Sequence, residues 1–133
     1  MAASWVSGLA TASTERWDGV SRDAAGLILY LDKASISNAG DATLASVLFD
    51  YPDSQLSLDA SRAYRSVELR LAIRCGAQEY ARASELRYSG SHATGAVVSR
   101  HIWTPGERRF RRAAPFTNSQ AIVTAVCGTP AAG

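Results

Sequence analysis

"SVELRLAIRC", residues 66–75, places Val67, Leu69, Leu71, Ile73 and Cys75 at odd positions. Ser66, Glu68, Arg70 and Arg74 hold the even ones, with Ala72 the exception. A repeat of two is the signature of a β-strand with one dry and one wet face. The strand is expected from about Tyr64 to Cys75, with Gly76 breaking it. Its dry row ends on sulfur in a chain that holds one other cysteine, Cys127.

Similar alternation extends to both sides. "ERWDGV" reads as a short first strand anchored by Trp17 and Val20. "GLILYLDKASI" has apolar residues on both faces and is bounded by Gly26 and the Asn38-Ala39-Gly40 turn. "DATLASVLFDY" is the next strand, and "PDSQLSLDAS", rich in turn formers, reads as a loop. Beyond Gly76, "QEYARASELRYS" alternates more weakly, with Tyr80, Leu86 and Tyr88 sharing a face with Arg82 and Ser84. "GSHATG" supplies a loop, and "AVVSRHIW" ends at Trp103, because Thr104-Pro105-Gly106 cannot continue a ladder. Six strands with short connections favour an antiparallel meander over βαβ units.

The period then changes. Thr117-Asn118-Ser119-Gln120 fits a capping box with Phe116 as a hydrophobic staple, while Gly128 and Pro130 supply stop signals. Ile122 and Val126, and Val123 and Cys127, stand four apart, which predicts a helix over Asn118–Cys127. The β-branched Ile122, Val123, Thr124 and Val126 support the competing reading, a seventh strand.

At 133 residues and 47% hydrophobic content, the chain is sized for one core. The single domain is expected over residues 16–128, flanked by a flexible tail or signal-peptide remnant at 1–15 and a flexible tail at 129–133. "MAASWVSGLATAS" lacks the basic and apolar regions of an intact signal peptide, yet Leu9-Ala10-Thr11-Ala12 resembles the end of one. Thirteen of the fourteen basic residues are arginine, but the formal charge of +2 predicts little steering toward nucleic acid, and no nucleic-acid partner is expected.

A sheet with one apolar face needs a cover, and a terminal helix lying across it is the economical one. Cys75 on the covered face would then lie beneath Cys127. A bond between them would close a loop of about 50 residues and restrict the unfolded chain by roughly 4 kcal/mol. Two reduced core cysteines are the alternative. The expected fold is α+β: a single antiparallel sheet of about six strands, with a C-terminal helix on one face tethered by the Cys75–Cys127 disulfide.

The order of motifs resembles the surface-adhesin protein E family of bacterial envelope proteins. Carrying that resemblance are Trp17, "LYLDKASI", "LFDYP", "YRSVELRLAIRC", Tyr88-Ser89, Gly95-Ala96-Val97-Val98, "IWTPG" and the final Cys127, over roughly residues 16 to 128. The resemblance implies a six-stranded antiparallel sheet with a helix bridged to its concave face. It also implies export to the periplasm or outer-membrane surface, scope for a homodimer, and adhesion to extracellular-matrix or other envelope macromolecules. It transfers no adhesive motif residue by residue.

The residues do not spell out catalysis. His92 and His101 stand nine apart without cysteine neighbours, no Gly-x-Ser-x-Gly elbow exists, and no glycine-rich phosphate loop precedes a helix. No enzyme, metal site or cofactor is expected. "GERRFRR" gathers Arg108, Arg109, Arg111 and Arg112 around Phe110, the five candidate binding residues, suited to anionic glycans, anionic lipid or an acidic protein patch. The competing reading is a solvated loop with Phe110 tucked into the core. Tyr51, Tyr64, Tyr80 and Tyr88 are a second candidate surface. The favoured function is a noncatalytic exported binding module, and the alternative is a periplasmic carrier holding an apolar ligand between sheet and helix.

Overall fold

A computed structural model of the chain describes residues 16–56 and 62–128. Seven strands follow in order: β1 (Asp18–Arg22), β2 (Ile28–Ala39), β3 (Ala42–Leu56), β4 (Ala63–Arg74), β5 (Glu79–Tyr88), β6 (Val97–Ile102) and the two-residue β7 (Arg111–Arg112). The helix α1 (Asn118–Cys127) closes the fold. Strands β1 to β6 form a consecutive antiparallel meander, and β7 pairs with the start of β5 through Glu79 and Tyr80. The expected tails at 1–15 and 129–133 lie outside the described residues, as does the second half of the expected loop, 57–61.

The sheet curls into a half-barrel around the helix. The ladder is irregular in β2 between Asp32 and Ser37, in β3 between Asp50 and Gln55, and in β4 between Arg70 and Leu71. Such irregularities bend a strand and increase its twist. The curl lets α1 contact β1 and β2 on one side and β5 on the other. Its two buried residues, Ile122 and Val123, insert between Leu29 and Leu31 of β2, Ala45 and Val47 of β3, and Leu71 and Ile73 of β4. Each of the two contributes about 1.5–3 kcal/mol by leaving water. The alternating row of β4 therefore forms the floor beneath the helix.

Cys75 and Cys127 form the disulfide, with Cα atoms 5.6 Å apart at a sequence separation of 52. Helix wins over the seventh strand at residues 118–127 because its ends are satisfied locally. The Thr117 hydroxyl accepts from the Gln120 amide, and the Gln120 side chain accepts from the Phe116 amide. Gly128 ends it at φ +86°, where a residue with a side chain would be strained.

Four expectations need correction. The "PDSQL" segment, read as loop, continues β3 to Leu56: Pro52 falls within the irregular stretch, where a missing amide donor is tolerated, and pairing resumes at Gln55 with Tyr64. Phe116 is no staple, for its φ of +61° turns the ring out to 101% exposure. Within the segment read as basic loop, Arg111 and Arg112 form β7. Finally, the even face of β4 is not simply wet. Ser66 and Ala72 are both 0% exposed there, and over Ser66 the 89–96 loop folds onto the convex side. In that loop's shelter the Ser66 hydroxyl donates to the Gly90 carbonyl and accepts from the Ala93 amide. Further along the face, Arg16 bridges Asp32 and Glu68 at 2.9 and 3.0 Å. Among the described residues no helix is long and apolar enough to cross a membrane.

Candidate interaction groove

A ten-residue helix is only about 15 Å long, whereas a twelve-residue strand runs to about 40 Å. The lid therefore cannot cover the whole concave face. Beyond it Phe49 and Leu69 continue the dry row, half-buried, into an open groove of about 560 Å³. Leu71 and Tyr80 complete the floor, Ile122 and Val123 of the helix close one end, and Trp103 with Arg82, Arg109 and Arg111 borders the rest.

Two of the groove's charges, Arg82 and Glu107, are fixed by neighbours. The Arg82 guanidinium lies 4.6 Å from the centre of the Trp103 ring, and His101 packs against the same indole at 4.1 Å. Such stacking holds a guanidinium in place while leaving its N–H groups free to donate. Glu107 belongs to a tight turn at Pro105–Glu107, where its Oε1 accepts from the Thr104 amide at 2.8 Å and from the Thr104 hydroxyl at 2.9 Å. These two hydrogen bonds hold the Glu107 carboxyl below its ordinary value of 4.5.

An aromatic and arginine row runs on from the groove. Glu85 lies between Arg82, at 3.7 Å, and Arg87, at 3.1 Å. Arg87 in turn lies 4.6 Å over Tyr64, whose ring meets Tyr51 edge-on at 6.1 Å. Burial, then the neighbouring Tyr64, pushes the Tyr51 hydroxyl's pKa up.

The five candidate residues do not form one cluster. Extended backbone alternates its side chains, so Arg109 and Arg111 border the groove while Phe110 turns away. The Phe110 ring is covered by the Arg74 guanidinium at 3.7 Å, and Arg74 itself pairs with Asp41 at 3.2 Å. Arg108 is half-buried, with its Nε–H lacking an acceptor, and Arg112 stands exposed on β7. The four tyrosines divide as well. Tyr51, Tyr64 and Tyr80 belong to the concave side, whereas the Tyr88 hydroxyl donates to Glu68 at 3.3 Å within the convex network. His92 sits 3.4 Å from Asp50 and edge-on to Tyr30. Among the described residues no group of three or more His, Cys, Asp and Glu could hold a metal ion.

Arg82 and Trp103 are the residues that sequence reasoning missed. Trp103 is visible in the sequence only as the end of a strand. Arg82 shares a face with Tyr80, yet its pairing opposite Leu71 depends on the irregularity at Arg70/Leu71, which alternation within one strand cannot reveal.

The sequence profile of one bacterial protein family, Surface-adhesin protein E, matches residues 17–128. Solved structures of Haemophilus influenzae protein E share the fold. Crystal form II superposes with a TM-score of 0.62 at 13% identity, over 84% of this chain and 87% of that one. Protein E from the non-typeable organism gives 0.58 at 13% identity, over 84% and 75%. A further protein E structure gives 0.57 at 14% identity, over 88% and 89%. No curated protein sequence matches significantly.

Proposed function

The chain belongs to the Surface-adhesin protein E family, and from that premise we propose that it is a noncatalytic, exported module that binds a macromolecule through its concave groove and the adjoining arginine segment. The observation that carries the reading is the part of the concave face that the helix leaves open, with an apolar floor and Arg82, Arg109 and Arg111 at its border. Half-open apolar floors edged by fixed polar groups suit recognition of extended partners. Among the described residues, no hydrogen bond pairs a nucleophile lining the groove with a base, the minimum for covalent chemistry. A disulfide between sheet and helix agrees with an oxidising compartment, either the periplasm or the cell surface.

Binding of the purified chain to immobilised extracellular-matrix protein tests the reading. With Arg108, Arg109, Arg111 and Arg112 all changed to Ala, affinity is expected to fall at least ~10-fold without a change in thermal midpoint, as lost charge-assisted contacts predict. Unchanged affinity would remove this segment from the contact surface. The carrier reading has one observation in its favour, since the groove does lie between sheet and helix. Against it stand the groove's openness and its three guanidinium groups, which an apolar ligand would leave desolvated and unpaired.

A further inference from the structure

The distribution of paired and unpaired charge around the groove narrows the class of partner. Glu107 is the single acid that lines it among the described residues, and that carboxylate already serves the Thr104 turn. Glu85 and Glu79, the nearby acids, are engaged by Arg87 and Arg74. Arg109, Arg111 and Arg112 have no acid within ion-pair distance among the described residues. The groove therefore presents Arg109 and Arg111 as guanidinium donors without an acid partner, beside Arg82, which shares Glu85 with Arg87 at a loose 3.7 Å, above a floor of Phe49, Leu69 and Tyr80.

On the basis of the binding-module reading, we propose that this groove takes a sulfated polysaccharide chain, with sulfate groups on Arg82, Arg109 and Arg111 and the apolar faces of the sugar rings against the floor. All three side chains are arginine, whose planar fork matches a tetrahedral oxyanion with two parallel hydrogen bonds. Stacking of Arg82 on Trp103 fixes one fork in advance, which lowers the entropy lost on binding. An extended acidic peptide fits less well, because strand addition needs a free sheet edge. The outer edge of β5 is already taken: β6 pairs it at Ser84–Tyr88, the Trp103 amide donates to the Ala83 carbonyl, and β7 pairs it at Glu79 and Tyr80. A bilayer surface would meet the rims of a concave site and not its floor.

Calorimetric titration of the full chain with a heparin-derived octasaccharide tests the assignment, with its desulfated counterpart, poly-glutamate and phosphatidylserine vesicles as the other arms. The sulfated octasaccharide is expected to bind at least ~100-fold more tightly than the desulfated one, with affinity falling steeply in salt. The Arg82→Ala/Arg109→Ala/Arg111→Ala variant is expected to lose at least ~30-fold and to lower the salt slope by about two to three. Arg22→Ala/Arg100→Ala, which removes as much charge per substitution elsewhere, should stay within about twofold. Arg109→Glu/Arg111→Glu keeps the Arg82 contacts and is expected to lose at least as much, so it decides the question if Arg82→Ala perturbs folding. Equal binding of the desulfated sugar, of poly-glutamate or of vesicles overturns the proposal, as does an equal loss in the control variant. If matrix binding persists and depends on the arginine segment while the octasaccharide fails, the ligand class is wrong and the module reading stands. Failure of both removes both.

Discussion

At the scale of single residues, charge in this protein is placed by what each group touches. Four arginines, Arg16, Arg74, Arg82 and Arg87, lie over Trp17, Phe110, Trp103 and Tyr64 respectively. That explains a use for arginine over lysine that composition leaves open, since a guanidinium plane stacks where an ammonium remains strongly hydrated. Glu107 permits a prediction with a definite sign. Its folded pKa lies below the ordinary 4.5, so its contribution to the turn is complete above 4.5 and is lost as pH falls through the lower folded value. A carboxyl NMR titration of Glu107 should therefore give a midpoint below 4.5, accompanied by a shift of the Thr104 amide. A midpoint at or above that value, or a Thr104 amide that does not respond, would show that the hydrogen bonds do not persist in solution.

At the scale of elements, irregularity does the shaping. The irregular stretches in β2, β3 and β4 curl the sheet, and the curl makes one short helix touch both flanks. On the convex side, Ser66 of β4 is the anchor for the 89–96 loop through its contacts with Gly90 and Ala93. Because Ser66 is 0% exposed, Ser66→Ala leaves the part-buried Gly90 carbonyl and Ala93 amide without their partner. The expected cost is about 1–3 kcal/mol in chemical denaturation, with faster hydrogen exchange at Ala93. A cost under about 0.5 kcal/mol would mean that water replaces the hydroxyl readily.

At the scale of the whole molecule, the disulfide joins the end of a central strand to the end of the helix, spanning 52 residues of sequence. The Cys75→Ala/Cys127→Ala variant should lose about 2–5 kcal/mol in urea unfolding, since its unfolded chain is no longer restricted by that loop. A loss smaller than about 1 kcal/mol would assign helix docking to Ile122 and Val123 alone. Strand order, helix and sulfur pairing were legible in the sequence because they follow from local periodicity, capping residues and the need to cover one apolar face. Even the residues that ended up differently, Pro52 in a strand and Phe116 in solvent, are local signals overruled by their surroundings: a resumed ladder in one case, a left-handed backbone in the other. The arginine segment was visible as composition, but its division was not. Arg109 and Arg111 reach the groove while Phe110 packs under Arg74. That division, and the pairing of Arg82 with Trp103, depends on how far a short helix reaches across a curled sheet. Periodicity along one strand tells a side chain which face it takes, whereas what covers that face is set by residues far away in sequence and near only after folding.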